Sequence, residues 1–125
     1  MVQPTVYNQG DLYFCDPDPG QQVTKGSELK GDHVWVVVSI PTCHRGNCVV
    51  GIPMSRHMNK AVGHLIRVPQ QESTYDPGEL VMDRVALTDQ IRVLDKTRLR
   101  RKLGTISSHA LTSIFDLGLD RLLGR

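Results

Sequence analysis

The chain has 125 residues, of which 39% are hydrophobic and 22% are charged, and its formal net charge is +2. This length fits one domain, residues 1–125, with a buried core, and the small net charge excludes a polycation that binds nucleic acid through overall charge. No apolar run approaches the roughly 20 residues of a membrane-spanning helix, and the N-terminus lacks the pattern of a signal peptide. We therefore expect a cytoplasmic protein without membrane contact.

The first half of the chain predicts an extended N-terminal arm, residues 1–9, followed by a strand at residues 11–15. Two prolines and a glycine directly after this strand predict a turn. The next segment, residues 20–31, is a long polar loop, and loops of this length often carry function. Residues 34–38 give the strongest strand signal of the chain, and their continuous apolar character predicts burial on both faces, with Trp35 in the core.

The middle of the chain predicts shorter elements. Residues 41–47 form a turn, and residues 48–52 pair back as a strand that Pro53 ends. Residues 64–68 predict another short strand, which a polar loop follows. Residues 79–82 fit either a strand or a helical turn.

The C-terminal part begins with an alternating strand over residues 85–95, which breaks into a basic turn after Asp95. A second short strand at residues 104–106 precedes an amphipathic helix over residues 108–122, capped by Ser107 or Ser108. The total is six or seven short strands and one terminal helix, without alternation of strands and helices. Such a chain predicts a mainly β fold that closes as a small barrel.

Two clusters of basic residues make the positive charge uneven. One comprises Lys96, Arg98, Arg100, Arg101 and Lys102, and the other comprises Arg45, Arg56, His57 and Lys60. Either these are solvated loops, or an anionic ligand such as a phosphate backbone lies between them.

The cysteines give no sign of a metal site or of a disulfide framework. Cys15, Cys43 and Cys48 are odd in number and lack the paired spacing of zinc ligands. We expect no metal and no cofactor.

Several short motifs together resemble one family. They are Gly10-Asp11-Leu12, Asp16-Pro17-Asp18-Pro19, Gly26-Ser27-Glu28 followed by Gly31, and Asp89-Gln90-Ile91-Arg92 followed by Lys102-Leu103-Gly104. Their order and spacing, from Gly10 to the terminal helix, are similar to those of the MazF/PemK toxins of bacterial type II toxin–antitoxin systems. The resemblance implies a small SH3-like β-barrel with a C-terminal helix, and a homodimer.

The resemblance also implies an activity: a metal-independent endoribonuclease, or mRNA interferase, that cuts single-stranded RNA at a short sequence and inhibits growth. In this reaction the 2′-hydroxyl of the RNA attacks the adjacent phosphorus, which leaves a 2′,3′-cyclic phosphate and a 5′-hydroxyl. The implied partners are single-stranded RNA, including mRNA, and a cognate antitoxin whose acidic, flexible tail occupies the RNA groove. The alternatives are a catalytically weakened or inactive RNA- or antitoxin-binding module, and a gyrase-binding toxin resembling CcdB.

Candidate catalytic residues follow from positions that match the family's motifs. Where typical members have a catalytic arginine this chain has His33, and where they have a catalytic threonine it has Ser55. Asp89 matches an aspartate of the PemK-like branch, whose histidine and arginine positions hold Ser27 and Leu87 here. We expect His33 to act as general acid or base, since an imidazole pKa of ~6.5 suits proton transfer near neutral pH. Ser55 is expected to donate a hydrogen bond to a phosphate oxygen.

Five further residues are expected to bind RNA: Glu28, Lys30, Arg56, Gln90 and Arg92. Arg56 is expected to supply the positive charge that the replaced family arginine no longer provides. Glu28 is expected to bond a base edge or to orient a neighbouring cation. The structural alternatives are a partly buried strand-start histidine bonded to Asp32 or to backbone for His33, an ordinary strand-end hydroxyl for Ser55, and an ion pair or turn support for Asp89 and Arg92.

Overall fold

The structure, a computed structural model, describes residues 6–15, 34–43 and 46–125. These ranges contain eight strands: β1 Asp11–Cys15, β2 Val34–Val37, β3 Cys48–Ser55, β4 Ile66–Val68, β5 Ser73–Tyr75, β6 Arg84–Ala86, β7 Arg92–Asp95 and β8 Leu99–Ile106. The expected polar loop of residues 20–31 and three candidate site residues, Glu28, Lys30 and His33, lie outside the described residues.

All strand pairs in the described ranges are antiparallel. The sheet has the order β4-β6-β3-β2-β1-β8-β5, and β7 pairs with β3 beside this path. The sheet curves into a nearly closed barrel, followed in the chain by one C-terminal helix. The prediction of a mainly β barrel with a terminal helix is confirmed, with more strands than the six or seven expected.

The central strands are buried on both faces because alternate side chains enter two different apolar clusters. Leu12, Val36 and Ile52 belong to the cluster that packs under the C-terminal helix. Trp35 and Leu94 belong to the cluster on the opposite face. The two-sided burial predicted for the strand at residues 34–38, and the core position of Trp35, are confirmed.

Strand β3 continues to Ser55, so the prediction that Pro53 ends it is wrong. β3 pairs with β7 through residues 48–51 and with β6 through residues 54–55, and Pro53 lies between these two partners. The Pro53 carbonyl accepts a hydrogen bond from Leu87 N at 2.9 Å. Because the N and the carbonyl of one residue point to the same side of a strand, the missing N–H leaves the pairing with β2 intact.

The predicted strand at residues 85–95 is divided in two. β6 and β7 are separated by a 3₁₀ turn at Thr88–Gln90, and the two strands pair with different segments of β3. A basic 3₁₀ turn at Lys96–Arg98 follows β7, as predicted, and the Asp95 carboxylate caps it by accepting from Thr97 N at 2.9 Å.

Further predictions differ from the structure between residues 64 and 106. The predicted strand at residues 64–68 begins only at Ile66, and residues 79–82 form neither a strand nor a helical turn. β5 lies within the segment expected to be a loop. β8 has eight residues instead of the three expected. β5 and β8 pair with each other, so both depend on tertiary pairing that a local pattern does not reveal.

The C-terminal helix contains an α-helical segment Ser108–Ser113, a π-helical segment Ile114–Leu119 and a final α-helical turn Asp120–Leu122. Ser107 caps it, since its Oγ accepts from Ala110 N at 3.0 Å. Gly118 is buried where the helix meets the barrel: a Cβ at this position would lie 2.7 Å from Thr88 Cγ2 and 3.2 Å from the His64 carbonyl oxygen. The helix therefore packs closely against the segments that carry these two residues.

Candidate active site

The end of β3 carries the first candidate residue. Ser55 is the last residue of β3, pairs with Val85 and is fully buried. Its Oγ accepts a hydrogen bond from His57 N at 3.1 Å, which turns the chain so that Arg56 and His57 are exposed directly after the strand. A hydroxyl also has a proton to donate. Because Ser55 is buried, this proton reaches a phosphate oxygen only if neighbouring residues move apart.

The start of β2 lies at the same end of the sheet as Ser55. The two strands are antiparallel, with Trp35 opposite Pro53, so Val34 at the start of β2 and Ser55 at the end of β3 lie at one end of the pair. His33 directly precedes Val34 in the sequence. Residues near this end of the barrel therefore come from segments far apart in the chain.

Asp89 lies elsewhere along β3, in the Thr88–Gln90 turn. From Val85, opposite Ser55, the chain runs back along β3: Leu87 N donates to the Pro53 carbonyl, and Arg92 pairs with Gly51. Asp89 therefore lies beside the middle of β3 and not at the end that holds Ser55.

Asp89 lies close to His64, with 3.6 Å between Asp89 Oδ2 and His64 Nε2. The two side chains are 45% and 35% exposed, respectively. The segments that carry them are joined by Thr88, whose Oγ1 donates to the His64 carbonyl at 2.6 Å. No sequence motif indicates His64 as a site residue, because it lies 25 positions before Asp89 and no spacing rule links the two.

Gln90 and Arg92, both expected to bind RNA, continue the same polar stretch. The Gln90 backbone N–H donates to the Leu87 carbonyl at 2.9 Å and closes the turn. The Arg92 guanidinium lies 6.0 Å from the centre of the Trp35 ring, a cation–π distance. Ser55, Asp89, Gln90 and Arg92 are thus arranged along β3 in two groups, one at its end and one beside its middle.

Part of the C-terminal basic cluster is neutralised by acidic partners. Arg101 donates two hydrogen bonds to the Glu79 carboxylate, at 2.9 and 3.1 Å, and Lys102 Nζ lies 3.6 Å from Asp11. Lys96 lies 5.4 Å from the centre of the Tyr7 ring. This cluster is therefore not a row of uncompensated cations, and its attraction for a phosphate backbone is smaller than its sequence suggests.

Two groups near this surface have shifted pKa values. Burial, reinforced by the nearby Asp11 carboxylate, raises the pKa of Tyr13 to about 12. Hydrogen bonds from the backbone N–H and hydroxyl of Thr97 lower the pKa of Asp95. Both shifts stabilise the protonation state that each group has at neutral pH.

Neither a metal site nor a spanning helix is found in the described ranges. There, no three side chains among histidine, cysteine, aspartate and glutamate form a group that could hold a metal ion. None of the helices in these ranges has the length and apolar character that crossing a membrane requires. Cys15 is buried, Cys43 is exposed and Cys48 is half-buried, and all three are free thiols.

Comparison with known proteins gives consistent matches over almost the whole chain. The family model of the PemK-like, MazF-like toxins of type II toxin–antitoxin systems matches residues 8–117. Endoribonuclease MazF of Staphylococcus epidermidis is 32% identical over 118 residues, which cover 93% of this chain and 90% of the relative. Endoribonuclease MazF of Staphylococcus saprophyticus subsp. saprophyticus is 31% identical over 111 residues, which cover 85% and 82%.

Solved structures share the fold at lower identity. An endoribonuclease from a mycobacterial species superposes with a TM-score of 0.63 at 19% identity, covering 96% of this chain and 93% of its own. A mycobacterial endoribonuclease in complex with its cognate antitoxin gives a TM-score of 0.60 at 18% identity, covering 97% and 96%.

Proposed function

Because the chain belongs to the PemK-like, MazF-like family of toxins of type II toxin–antitoxin systems, we propose that it is an endoribonuclease that cleaves single-stranded RNA, including mRNA, at a short sequence. The observation that carries the proposal is the match to relatives named endoribonuclease MazF over nearly their full length. Cleavage of mRNA would inhibit translation and growth. We further propose that the protein acts in the cytoplasm as a homodimer.

We propose a cognate antitoxin as the protein partner. The support is the family itself and the similarity in fold to an endoribonuclease whose structure was solved with its cognate antitoxin. An acidic, flexible antitoxin tail would compete with RNA for a surface that includes exposed Arg56 and half-buried Arg92.

The proposed chemistry needs no metal, because the RNA supplies its own nucleophile. The 2′-hydroxyl oxygen forms a bond to the adjacent phosphorus while its proton leaves to a base. The bond from phosphorus to the 5′ oxygen breaks, and that oxygen takes up a proton. The protein must therefore move two protons and stabilise the charge on the non-bridging oxygens.

We assign these tasks to residues at the end of β3 and to His33. His33 carries one of the two proton transfers, Ser55 donates its hydroxyl proton to a non-bridging oxygen, and Arg56 compensates the phosphate charge. Ser55 is buried in the described structure, so its part requires this end of the barrel to open around the RNA. Asp89 lies beside the middle of β3, and we therefore propose that it contacts a base of the substrate and not the scissile phosphate itself.

The decisive experiment is cleavage of a long single-stranded RNA in the presence of a chelator. The purified protein should produce discrete fragments with 2′,3′-cyclic phosphate and 5′-hydroxyl ends. His33→Ala should reduce the rate by about a hundredfold or more, the typical share of general acid–base catalysis. His109→Ala, which removes an exposed histidine of the C-terminal helix, is the matched control and should cut like the wild type. Intact RNA at every pH from mildly acidic to mildly basic would contradict the enzyme proposal.

One observation favours a second candidate, a module that binds RNA or antitoxin without cutting. Ser55 is fully buried and its Oγ already accepts from His57 N, as expected for a hydroxyl that only shapes the strand end. In that case Ser55→Ala would lower the melting temperature slightly and leave the affinity for RNA unchanged. Neither the wild type nor this variant would cut RNA. If the wild type cuts and Ser55→Ala loses cleavage while remaining folded, the enzyme proposal stands and the second candidate fails.

A further inference from the structure

The Asp89 carboxylate lies beside the Nε2 atom of His64. His64 Nε2 is buried and has no hydrogen-bond partner within the described part of the chain. Its distance of 3.6 Å from Asp89 Oδ2 permits electrostatic attraction but exceeds that of a hydrogen bond. The Asp89 side chain is 45% exposed. Within the described residues, the carboxylate therefore has an imidazole on one side and solvent on the other, where its oxygens can accept hydrogen bonds from a ligand.

The two segments that carry this pair are fixed relative to each other. Thr88, the residue before Asp89, is fully buried and donates its hydroxyl proton to the His64 carbonyl at 2.6 Å. Gly118 of the C-terminal helix packs on both segments, so closely that an added Cβ would lie within about 3 Å of each. A carboxylate mounted on such a support loses little freedom when it binds a ligand, which favours selective recognition.

We propose that Asp89 reads the Watson–Crick edge of an unpaired guanine in the RNA, with His64 as the residue that positions its carboxylate. This inference rests on the proposed ribonuclease function and names a determinant of its sequence specificity. Unpaired bases are the usual targets of sequence-specific RNA recognition, through hydrogen bonds to the Watson–Crick edge.

The choice of guanine follows from the pattern of donors on each base. A carboxylate accepts two hydrogen bonds and donates none. Guanine presents two adjacent donors, N1–H and the N2 amino group, which match the two oxygens. Adenine, cytosine and uracil each place an acceptor next to their donor, and this acceptor would face a carboxylate oxygen. Guanine is therefore the one base that both oxygens can bind.

The surroundings of the pair suit a base beside the scissile phosphate. Exposed Val62 precedes His64 by two residues, and exposed Ile91 follows Asp89 by two, so each segment offers apolar surface to a base. Arg92, at the level of Gly51, can meet a phosphate. Gly51 and Ser55 are four residues apart on β3, roughly 13 Å at the rise of an extended strand. The guanine would therefore neighbour the cleavage site.

The test replaces one atom group on the RNA and one on the protein. Sequencing of the 5′-hydroxyl ends from a long RNA gives the cleavage motif and the positions at which guanine is required. Oligonucleotides are then made with inosine at each such position, because inosine lacks the N2 amino group and keeps N1–H. For the wild type, inosine at one position should lower kcat/KM by about tenfold, the value of one charge-assisted hydrogen bond.

Asp89→Asn should abolish the difference between guanosine and inosine at that position and still cut RNA. Asp116→Asn, which removes an equal charge from an exposed position on the C-terminal helix, is the matched control and should keep the tenfold ratio. His64→Ala should lower the same ratio at an unchanged melting temperature, whereas a purely structural role of His64 would lower the melting temperature and leave the ratio intact.

Three outcomes would overturn the inference. They are a motif without guanine, an unchanged guanosine-to-inosine ratio in Asp89→Asn, and an equal loss of cleavage on all substrates in that variant, which would make Asp89 a catalytic residue. If the wild type cuts no RNA, the proposed ribonuclease function is contradicted, whereas the guanine contact still has to be tested separately. The guanine contact is then judged from the affinity of the same variants for fluorescent guanosine and inosine oligonucleotides, with equal affinities overturning it.

Discussion

Replacing Gly104 by alanine should destabilise the barrel at the edge formed by β5 and β8. Gly104 pairs with Leu12 of β1 on one side and with Tyr75 of β5 on the other. A Cβ at this position would lie 2.1 Å from the Thr74 carbonyl oxygen and 2.8 Å from Tyr75 Cα. Both are backbone atoms, so no rotation of a side chain relieves the overlap and β5 must move away from β8.

The expected cost combines two terms. Overpacking in a well-packed region costs typically 1–3 kcal/mol, about 2 kcal/mol here. Displacement of β5 also breaks one backbone hydrogen bond, from Asp76 N to the Leu103 carbonyl, which is worth about 1 kcal/mol. The sum is about 3 kcal/mol. With an unfolding entropy of about 2.1 cal/mol/K per residue, 125 residues give about 260 cal/mol/K, so the melting temperature should fall by about 11 °C.

Thermal unfolding followed by far-ultraviolet circular dichroism measures this change. Gly46→Ala is the matched control, since a Cβ there would contact no other described residue within 4 Å and would meet only the strain of a φ of +56°. That strain costs about 1 kcal/mol, or about 4 °C. If Gly104→Ala melts no lower than Gly46→Ala, the close contact between β5 and β8 is not present in solution and the reasoning fails.

Three further predictions concern the helix cap and two titrating groups. Ser107→Ala removes the cap of the C-terminal helix and a hydrogen bond to Glu72, so its melting temperature should fall by about 4 °C, whereas exposed Ser108→Ala should have no such effect. The pKa of Tyr13 is raised from 10 to about 12, so its contribution to the free energy of unfolding is complete below pH 10 and is lost as the pH approaches 12. Phenolate absorbance should therefore show one tyrosine that titrates later than the others. Uniform titration of all tyrosines near pH 10 would contradict this. Because the pKa of Asp95 is lowered in the folded protein, this carboxylate contributes to the free energy of unfolding above the ordinary pKa of 3.8, and the contribution is lost at lower pH. In Asp95→Asn, the free energy of unfolding should therefore decline less steeply in acid. An unchanged slope would argue against this role of Asp95.

The sequence predicts those elements whose signal is local. β1, β2 and the helix cap at Ser107 have the expected places because apolar runs, adjacent prolines and a capping hydroxyl act within a few residues. β8 could not be predicted in full, because three consecutive charged residues, 100–102, interrupt the alternation of apolar and polar residues that is typical of a strand. Two register shifts against β1 lie on either side of the pairs Phe14–Arg101 and Tyr13–Lys102, and such irregular pairing follows from the partner strand and not from the strand's own sequence.

The candidate site, too, could be predicted from the sequence only in part. Resemblance to the family indicated Ser55 and Asp89 by position, but not that one is buried at the end of β3 and the other exposed beside its middle. His64 was not predicted, because its relation to Asp89 exists only once β4 and β6 pair and bring residues 64 and 89 together. A side-chain pair of this kind is a property of the sheet register, which short motifs do not encode.

The change of partner along β3 separates the two groups of candidate residues. Its first half is held by β7 and its last two residues by β6, with Pro53 at the point where no N–H is needed. The connection from β6 to β7 must therefore cross beside the middle of β3, and it does so in the short turn that carries Asp89. A strand paired continuously with one neighbour would leave no place for this turn. The same interruption that makes residues 85–95 unpredictable as a single strand thus creates the exposed position of Asp89.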